Sequence, residues 1–111
     1  MVTGLPGTGK SRLAAALAGA LGAPLLAKDL VKEALFDTIG TGDAAWSRRL
    51  SDAAFAVLFA LARSELERGA SLLLLEGNFR AGEHEPLVRR CFASGAAPRV
   101  AQIECRCDPA L

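Results

Sequence analysis

The apolar residues of this 111-residue chain fall into alternating helical and extended patterns. From Ser11 to Leu21, Leu13, Leu17 and Leu21 recur at helical spacing with alanines between them, which predicts a helix with these leucines on one face. Gly22-Ala23-Pro24 breaks that pattern. Leu25-Leu26-Ala27-Lys28 is a short apolar run suited to a buried strand. Asp29 then opens a second helix with Leu30, Val31, Ala34, Leu35 and Ile39 on one face. Gly40-Thr41-Gly42-Asp43 reads as a loop, expected to be mobile. A long helix follows from about Ala44 to Arg68, striped by Leu50, Ala54, Val57 or Leu58, Leu61 and Leu66, and ended by Gly69.

Ser71 to Glu76 carries four consecutive leucines and is the clearest strand; an unbroken apolar run fits a central parallel strand covered on both faces. Gly77-Asn78 marks the turn after it. A further helix is predicted from about Glu85 to Ser94, with Leu87, Val88, Cys91 and Phe92 buried. Arg99 to Cys105 is the next strand, and Asp108-Pro109 looks like the start of another helix. Strands alternating with helices give an α/β protein with a parallel sheet. In such sheets ligands sit beyond the carboxyl ends of the strands. That rule gathers Gly4–Ser11, Lys28–Asp29, Glu76–Arg80 and Cys105–Asp108 onto one rim.

The first of these is the most informative. Gly4-Leu5-Pro6-Gly7-Thr8-Gly9-Lys10-Ser11 fits G-x-x-x-x-G-K-[ST], a phosphate-binding loop, with a helix behind it and the short Met1-Val2-Thr3 as the strand before it. Gly4 and Gly9 let the backbone turn tightly and approach phosphate oxygens where a Cβ would clash. The loop amides and the helix N-terminus direct partial positive charge at the same spot. Lys10 adds a full charge for the β- and γ-phosphates, and the Ser11 hydroxyl is placed to ligate Mg²⁺. Arg12 is grouped with the loop as a nucleotide contact. The plain alternative is a glycine-rich turn capping a helix.

Composition narrows the field. The chain is one domain over 1–111, 51% hydrophobic and 23% charged, an ordinary globular balance. A formal net charge of +1 leaves no electrostatic footprint for nucleic acid or an anionic membrane. Three cysteines, an odd number, argue against a disulfide framework and for a reducing cytoplasm. No apolar run reaches membrane-spanning length. The Ala-rich stretch after Arg12 could be read as a secretory signal, but the helix behind the phosphate loop already accounts for it.

Phosphoryl transfer to a hydroxyl needs a carboxylate to orient the acceptor and take its proton, and Asp29 at the end of the second strand is placed for that. As a helix N-cap it would need no chemistry at all. Lys32, one turn on, could neutralise phosphate or hold an anionic acceptor, or be a solvated helix lysine. Glu76 is the acid of a hydrophobic-run-then-acid pattern, able to hold Mg²⁺ directly or through water, or to bind the acceptor. Arg80 could contact phosphate or acceptor, or lie on the surface. Arg48 and Arg49 read as a solvated helix face and Trp46 as a packing residue. Cys105-Arg106-Cys107 with Cys91 and His84 lacks zinc-ligand spacing.

With these residues placed, the chain resembles the P-loop small-molecule kinases grouped with AAA-family ATPases and zeta-toxin-like kinases, relatives of chloramphenicol phosphotransferase, gluconate kinase and the 5′-kinase half of polynucleotide kinase. The resemblance covers nearly the whole chain. It rests on Gly4–Ser11, on Lys28-Asp-Leu-Val-Lys-Glu-Ala-Leu-Phe-Asp37, on Leu75-Glu-Gly-Asn-Phe-Arg80 and on Gln102-Ile-Glu-Cys-Arg-Cys-Asp-Pro109. It implies a three-layer P-loop NTPase fold with helices on both sides of a parallel sheet, of which about four strands are expected here. It further implies that Lys10 and Ser11 hold ATP and Mg²⁺, that Asp29 activates the acceptor with Lys32 near it, and that Glu76 and Arg80 line the acceptor side. Relatives have a fuller first strand and continue into an arginine-bearing lid and a last strand. The chain is therefore expected to be incomplete at both ends and a poor kinase alone, since lid arginines stabilise charge on the transferring phosphoryl group.

The expected function is an ATP-binding kinase core acting on an unidentified hydroxyl-bearing small molecule. Two rivals stand beside it: a truncated, non-catalytic nucleotide-binding module, and a P-loop ATPase without a phosphoryl acceptor.

Overall fold

The computed structural model describes residues 1–4, 9–79, 89 and 103–106. In chain order its elements are β1 (Val2–Gly4), α1 (Lys10–Leu21), β2 (Leu25–Ala27), α2 (Lys28–Ile39), α3 (Ala44–Glu67), β3 (Leu74–Glu76) and β4 (Ile103–Cys105). All strand pairings are parallel and the order is β2-β3-β1-β4. The α/β architecture with a four-stranded parallel sheet is thus the one the alternating pattern predicts. The helix expected at Glu85–Ser94, the Arg99–Gln102 part of the last strand, and Asp108-Pro109 lie outside the described residues. Among those described, no helix is long and apolar enough to cross a membrane.

Successive strand residues face opposite sides of a sheet, and this period of two builds the layers. Val2, Leu25 and Leu74 point one way and pack with Ala14, Leu17 and Ala18 of α1. Met1, Leu26 and Leu75 point the other way, onto Phe55, Leu58, Phe59 and Ala62 of α3. Phe79 joins this second core, its ring centroid 5.4 Å from Phe55 and 6.0 Å from Phe59. Fully burying side chains such as Leu58 and Phe59 contributes about 1.5–3 kcal/mol each. α2 lies against α3 rather than directly on the sheet.

Several boundaries and faces differ from the pattern-based expectation. The strand before the phosphate loop does form, and β3 begins at Leu74 rather than Ser71. On α1 the buried position is Ala14, while Leu13 and Leu21 are exposed. The side that meets the sheet is the one with small residues, because alanine lets the helix backbone come close. On α2, Leu30, Ala34 and Ile39 are exposed, and Val31 and Leu35 are half-buried. On α3, Leu50, Ala54 and Leu58 are buried as expected, but Val57 and Leu61 face outward and Phe55, Phe59 and Ala62 complete the inner face. The 40–43 loop is held rather than loose. Asp43 caps α3 by accepting from the Trp46 amide at 2.9 Å, and Trp46 Nε1 donates to the Gly40 carbonyl at 2.9 Å. Trp46 therefore packs and bonds locally, in keeping with a packing role.

One buried side chain ties the ends of β1 and β3 together. Thr3 Oγ1 accepts from the Phe79 amide at 2.9 Å and donates to the Phe79 carbonyl at 3.2 Å. Thr3 thus satisfies both backbone groups of a residue whose ring is committed to the core. Replacing it by the near-isosteric valine removes both of these hydrogen bonds. Thr3→Val is expected to lower unfolding free energy by about 1–3 kcal/mol, read by denaturant titration.

Candidate functional site

The carboxyl ends of β1, β2 and β3 lie side by side, because Val2 and Ala27 both stand opposite Glu76 in the ladders. The strand order changes direction at β1, which has β3 on one side and β4 on the other. Crevices at such points are where open parallel sheets bind ligands. Three chain segments converge there: the start of α1 after β1, the start of α2 after β2, and the turn after β3.

The start of α1 is built to face an anion. Its N-cap is Gly9, in the left-handed conformation at φ 79°, which costs a side-chain-bearing residue energy. No side chain caps the helix and its own first turn holds no acidic residue, so the positive end of the helix dipole is not quenched from within α1. Lys10 is the first helical residue and is buried, and Ser11 follows, exposed. Leu5, Pro6, Gly7 and Thr8 lie outside the described residues; Gly4 ends β1, and Arg12 is exposed in the first turn.

The parity of β3 places Glu76. It shares a face with Leu74, the α1 side, and there its Oε1 accepts from Ser11 Oγ at 2.6 Å. Glu76 is itself buried, so this contact fixes a carboxylate at the foot of α1. Asp29 sits on the neighbouring segment, in the first turn of α2. The helix N-cap is Ala27, with no side-chain cap bond, so Asp29 is not the cap. Its side chain is 68% exposed and its Oδ1 lies 3.5 Å from Lys28 Nζ. Lys32, half-buried one turn further on, has its ammonium 5.4 Å from the centroid of Phe36. Lys10, Ser11, Asp29, Lys32 and Glu76 therefore cluster at three adjacent strand ends. Arg80 lies outside the described residues.

The sequence pattern of one family, described as AAA domain, matches residues 1–111. The chain belongs to the AAA-domain family. A solved structure from Chloroflexus aurantiacus, named a "putative kinase", superposes with a TM-score of 0.82 at 40% identity over 93% of this chain. The AAA-domain chain spans 55% of that protein's length. Among curated proteins none matches. The fold is accordingly P-loop and kinase-like.

Ser11 and Glu76 also meet the donor requirements of Mg²⁺, which takes oxygen ligands and is commonly held by one or two protein groups with the substrate's phosphates completing its shell. A hydroxyl and a carboxylate oxygen already 2.6 Å apart form such a donor pair. Among the described residues, no cluster of three His, Cys, Asp or Glu suggests another metal.

Sequence reasoning placed Lys28 at the end of the second strand and on the ligand rim but gave it no role. It is the first residue of α2, 4% exposed, with its ammonium 5.2 Å from the centroid of Phe55. Residue 77 beside it is glycine, and a Cβ there would lie a tight 3.2 Å from Lys28 Cβ and 3.3 Å from the Phe55 ring. Burial pushes its pKa below the usual lysine range; Asp29 opposes this, while Lys32 and then Lys10 push further down.

An amine with a depressed folded-state pKa binds fewer protons when folded than when unfolded, so stability rises with pH between the folded and the unfolded value. The stability of the native chain relative to Lys28→Met is therefore expected to be flat at low pH. It should climb as pH rises through the lowered pKa, and level off above the ordinary lysine value. Thermal melts of both proteins at a series of pH values check this; a difference that falls with pH contradicts it.

Proposed function

We propose that this chain is the nucleotide-binding core of an ATP-dependent kinase that moves the γ-phosphate of Mg-ATP to a hydroxyl of a small molecule. The observation that carries the reading is the 2.6 Å contact of Ser11 with Glu76 at a helix start that has no acid of its own, on the strand end next to the exposed Asp29 carboxylate. A phosphate loop alone fits any P-loop protein. An exposed carboxylate on the next strand end is what transfer to a hydroxyl requires in addition. The named kinase of like fold supports the same class.

In this reading the backbone of Gly4, Leu5, Pro6, Gly7, Thr8 and Gly9, with Lys10 and Arg12, holds the phosphates of ATP. Lys10 supplies the charge for the β- and γ-phosphates. Ser11 and Glu76 hold Mg²⁺, which when bound neutralises phosphate charge. The hydrogen bond to Ser11 favours the metal side for Glu76 over the acceptor side. Asp29 accepts the proton of the acceptor hydroxyl and fixes its direction, and its exposure leaves room for that acceptor. Lys32 and Arg80 stand on the acceptor side. The partners are then ATP and a hydroxyl-bearing small molecule, with neither nucleic acid nor membrane. A reducing cytoplasm suits the odd cysteine count and the free Cys105.

Radiolabelled γ-phosphate transfer to a panel of sugars, nucleosides and hydroxylated antibiotics tests the reading. Transfer to at least one class is expected, with Asp29→Asn slowing it by about 10²–10⁴-fold as loss of a general base does. ATP hydrolysis that exceeds transfer with every acceptor, or transfer indifferent to Asp29→Asn, would overturn the kinase assignment.

A further inference from the structure

We propose that Lys28 is a second phosphate-binding lysine of this site, meeting the terminal phosphate of the bound nucleotide from the acceptor side, opposite Lys10. This rests on the nucleotide-binding reading above and assigns the site a residue outside the phosphate loop.

Lysines ordinarily keep the ammonium group in water while their methylene stem covers apolar surface. Lys28 does the reverse of that default and is withdrawn from solvent. Its stem is confined against Gly77, and its head is held over the face of Phe55. A charge fixed by packing on both sides is preorganised, so it need not be ordered when a ligand arrives.

The electrostatics leave that charge under-compensated. Asp29 is the one carboxylate within ion-pair range of Lys28 among the described residues, and at 3.5 Å the contact is longer than the roughly 2.7–2.9 Å of a charge-assisted hydrogen bond. The other acid at the rim, Glu76, is engaged with Ser11. The remaining charges that act on Lys28 are the ammonium groups of Lys32 and Lys10, both repulsive. With the uncapped start of α1 added, the rim holds an excess of positive charge that a polyanion would neutralise.

Position decides which part of the polyanion. Lys10 begins α1 behind β1, whereas Lys28 follows Ala27, which stands opposite Glu76 in the β2–β3 ladder. Lys28 therefore lies beside Asp29 on the β2 side of Glu76, while Lys10 follows β1 on the other side. The group of a nucleotide that reaches furthest toward Asp29 is its terminal phosphate, so Lys28 should distinguish triphosphate from diphosphate.

Calorimetric titration of the 111-residue chain with Mg-ADP and with Mg-AMP-PNP, a triphosphate analogue that resists cleavage, tests this. The native chain is expected to bind both. Lys28→Met should bind ADP within about twofold of native yet lose about tenfold or more for AMP-PNP, the scale of one hydrogen bond to a charged group. Lys28→Gln should show the same selective loss, and Lys28→Arg should keep the native ratio. Thermal melts establish that each variant is folded, and the three Lys28 variants are read independently should one fail. Equal loss for both nucleotides, or none for either, in the folded variants overturns the assignment while nucleotide binding by the native chain stands. Native protein that binds neither nucleotide overturns the underlying reading as well.

Discussion

The hydrogen bond from Ser11 to Glu76 is the constraint on which the rest of the site depends. It joins the first turn of α1 to the last residue of β3, two elements from opposite halves of the chain, across the carboxyl end of the sheet. Glu76 reaches Ser11 because strand residues alternate: Leu74 enters the α1 core, Leu75 the α3 core, and Glu76 turns back toward α1. Shifting β3 by one residue would point the carboxylate at the phenylalanines of α3 and leave the helix start without its partner. The Thr3 contacts with Phe79 hold the segment just beyond, so the register at the strand ends is tied on both faces of the sheet.

That arrangement concentrates charged groups in a buried place, which is unfavourable for folding taken alone. Lys10, Lys28 and Glu76 are all withdrawn from water beside a helix end that carries its own partial charge. Phe55 and Gly77 show how the fold accommodates this. The aromatic face offers the Lys28 ammonium a favourable electrostatic surface, and the missing side chain at residue 77 gives its stem room. A pocket so arranged is less stable than an apolar one of the same shape, and on the proposed function a multiply charged anion that binds it would offset the difference.

Much of this was legible in the sequence because the relevant signals are local. The Gly4–Ser11 spacing marks the turn from β1 into α1, and four successive leucines ending in Glu76 mark a strand buried on both faces. The faces of α1 and α2 were not legible. α1 is alanine-rich all round, so leucine periodicity does not choose the side that meets the sheet; close approach does, and it selects Ala14. Leu30 and Ile39 look like core residues in α2 because periodicity cannot tell that this helix packs on α3 and only grazes the sheet. Lys28 was placed on the rim but given no role, for a different reason. Charged residues are assigned to solvent by default, and its burial depends on Phe55 and Gly77, which are distant along the chain. The cap reading left open for Asp29 misses by two positions, since the cap is Ala27, which is within the usual precision of a boundary drawn from sequence.

The most direct test of the account is whether Mg²⁺ and ATP bind as a unit at the Ser11–Glu76 pair. Calorimetric titration of ATP with and without Mg²⁺ should show tighter binding with the metal, and that gain should vanish in both Ser11→Ala and Glu76→Gln. No ATP binding at all, or a gain from Mg²⁺ that survives both substitutions, would contradict the central claim.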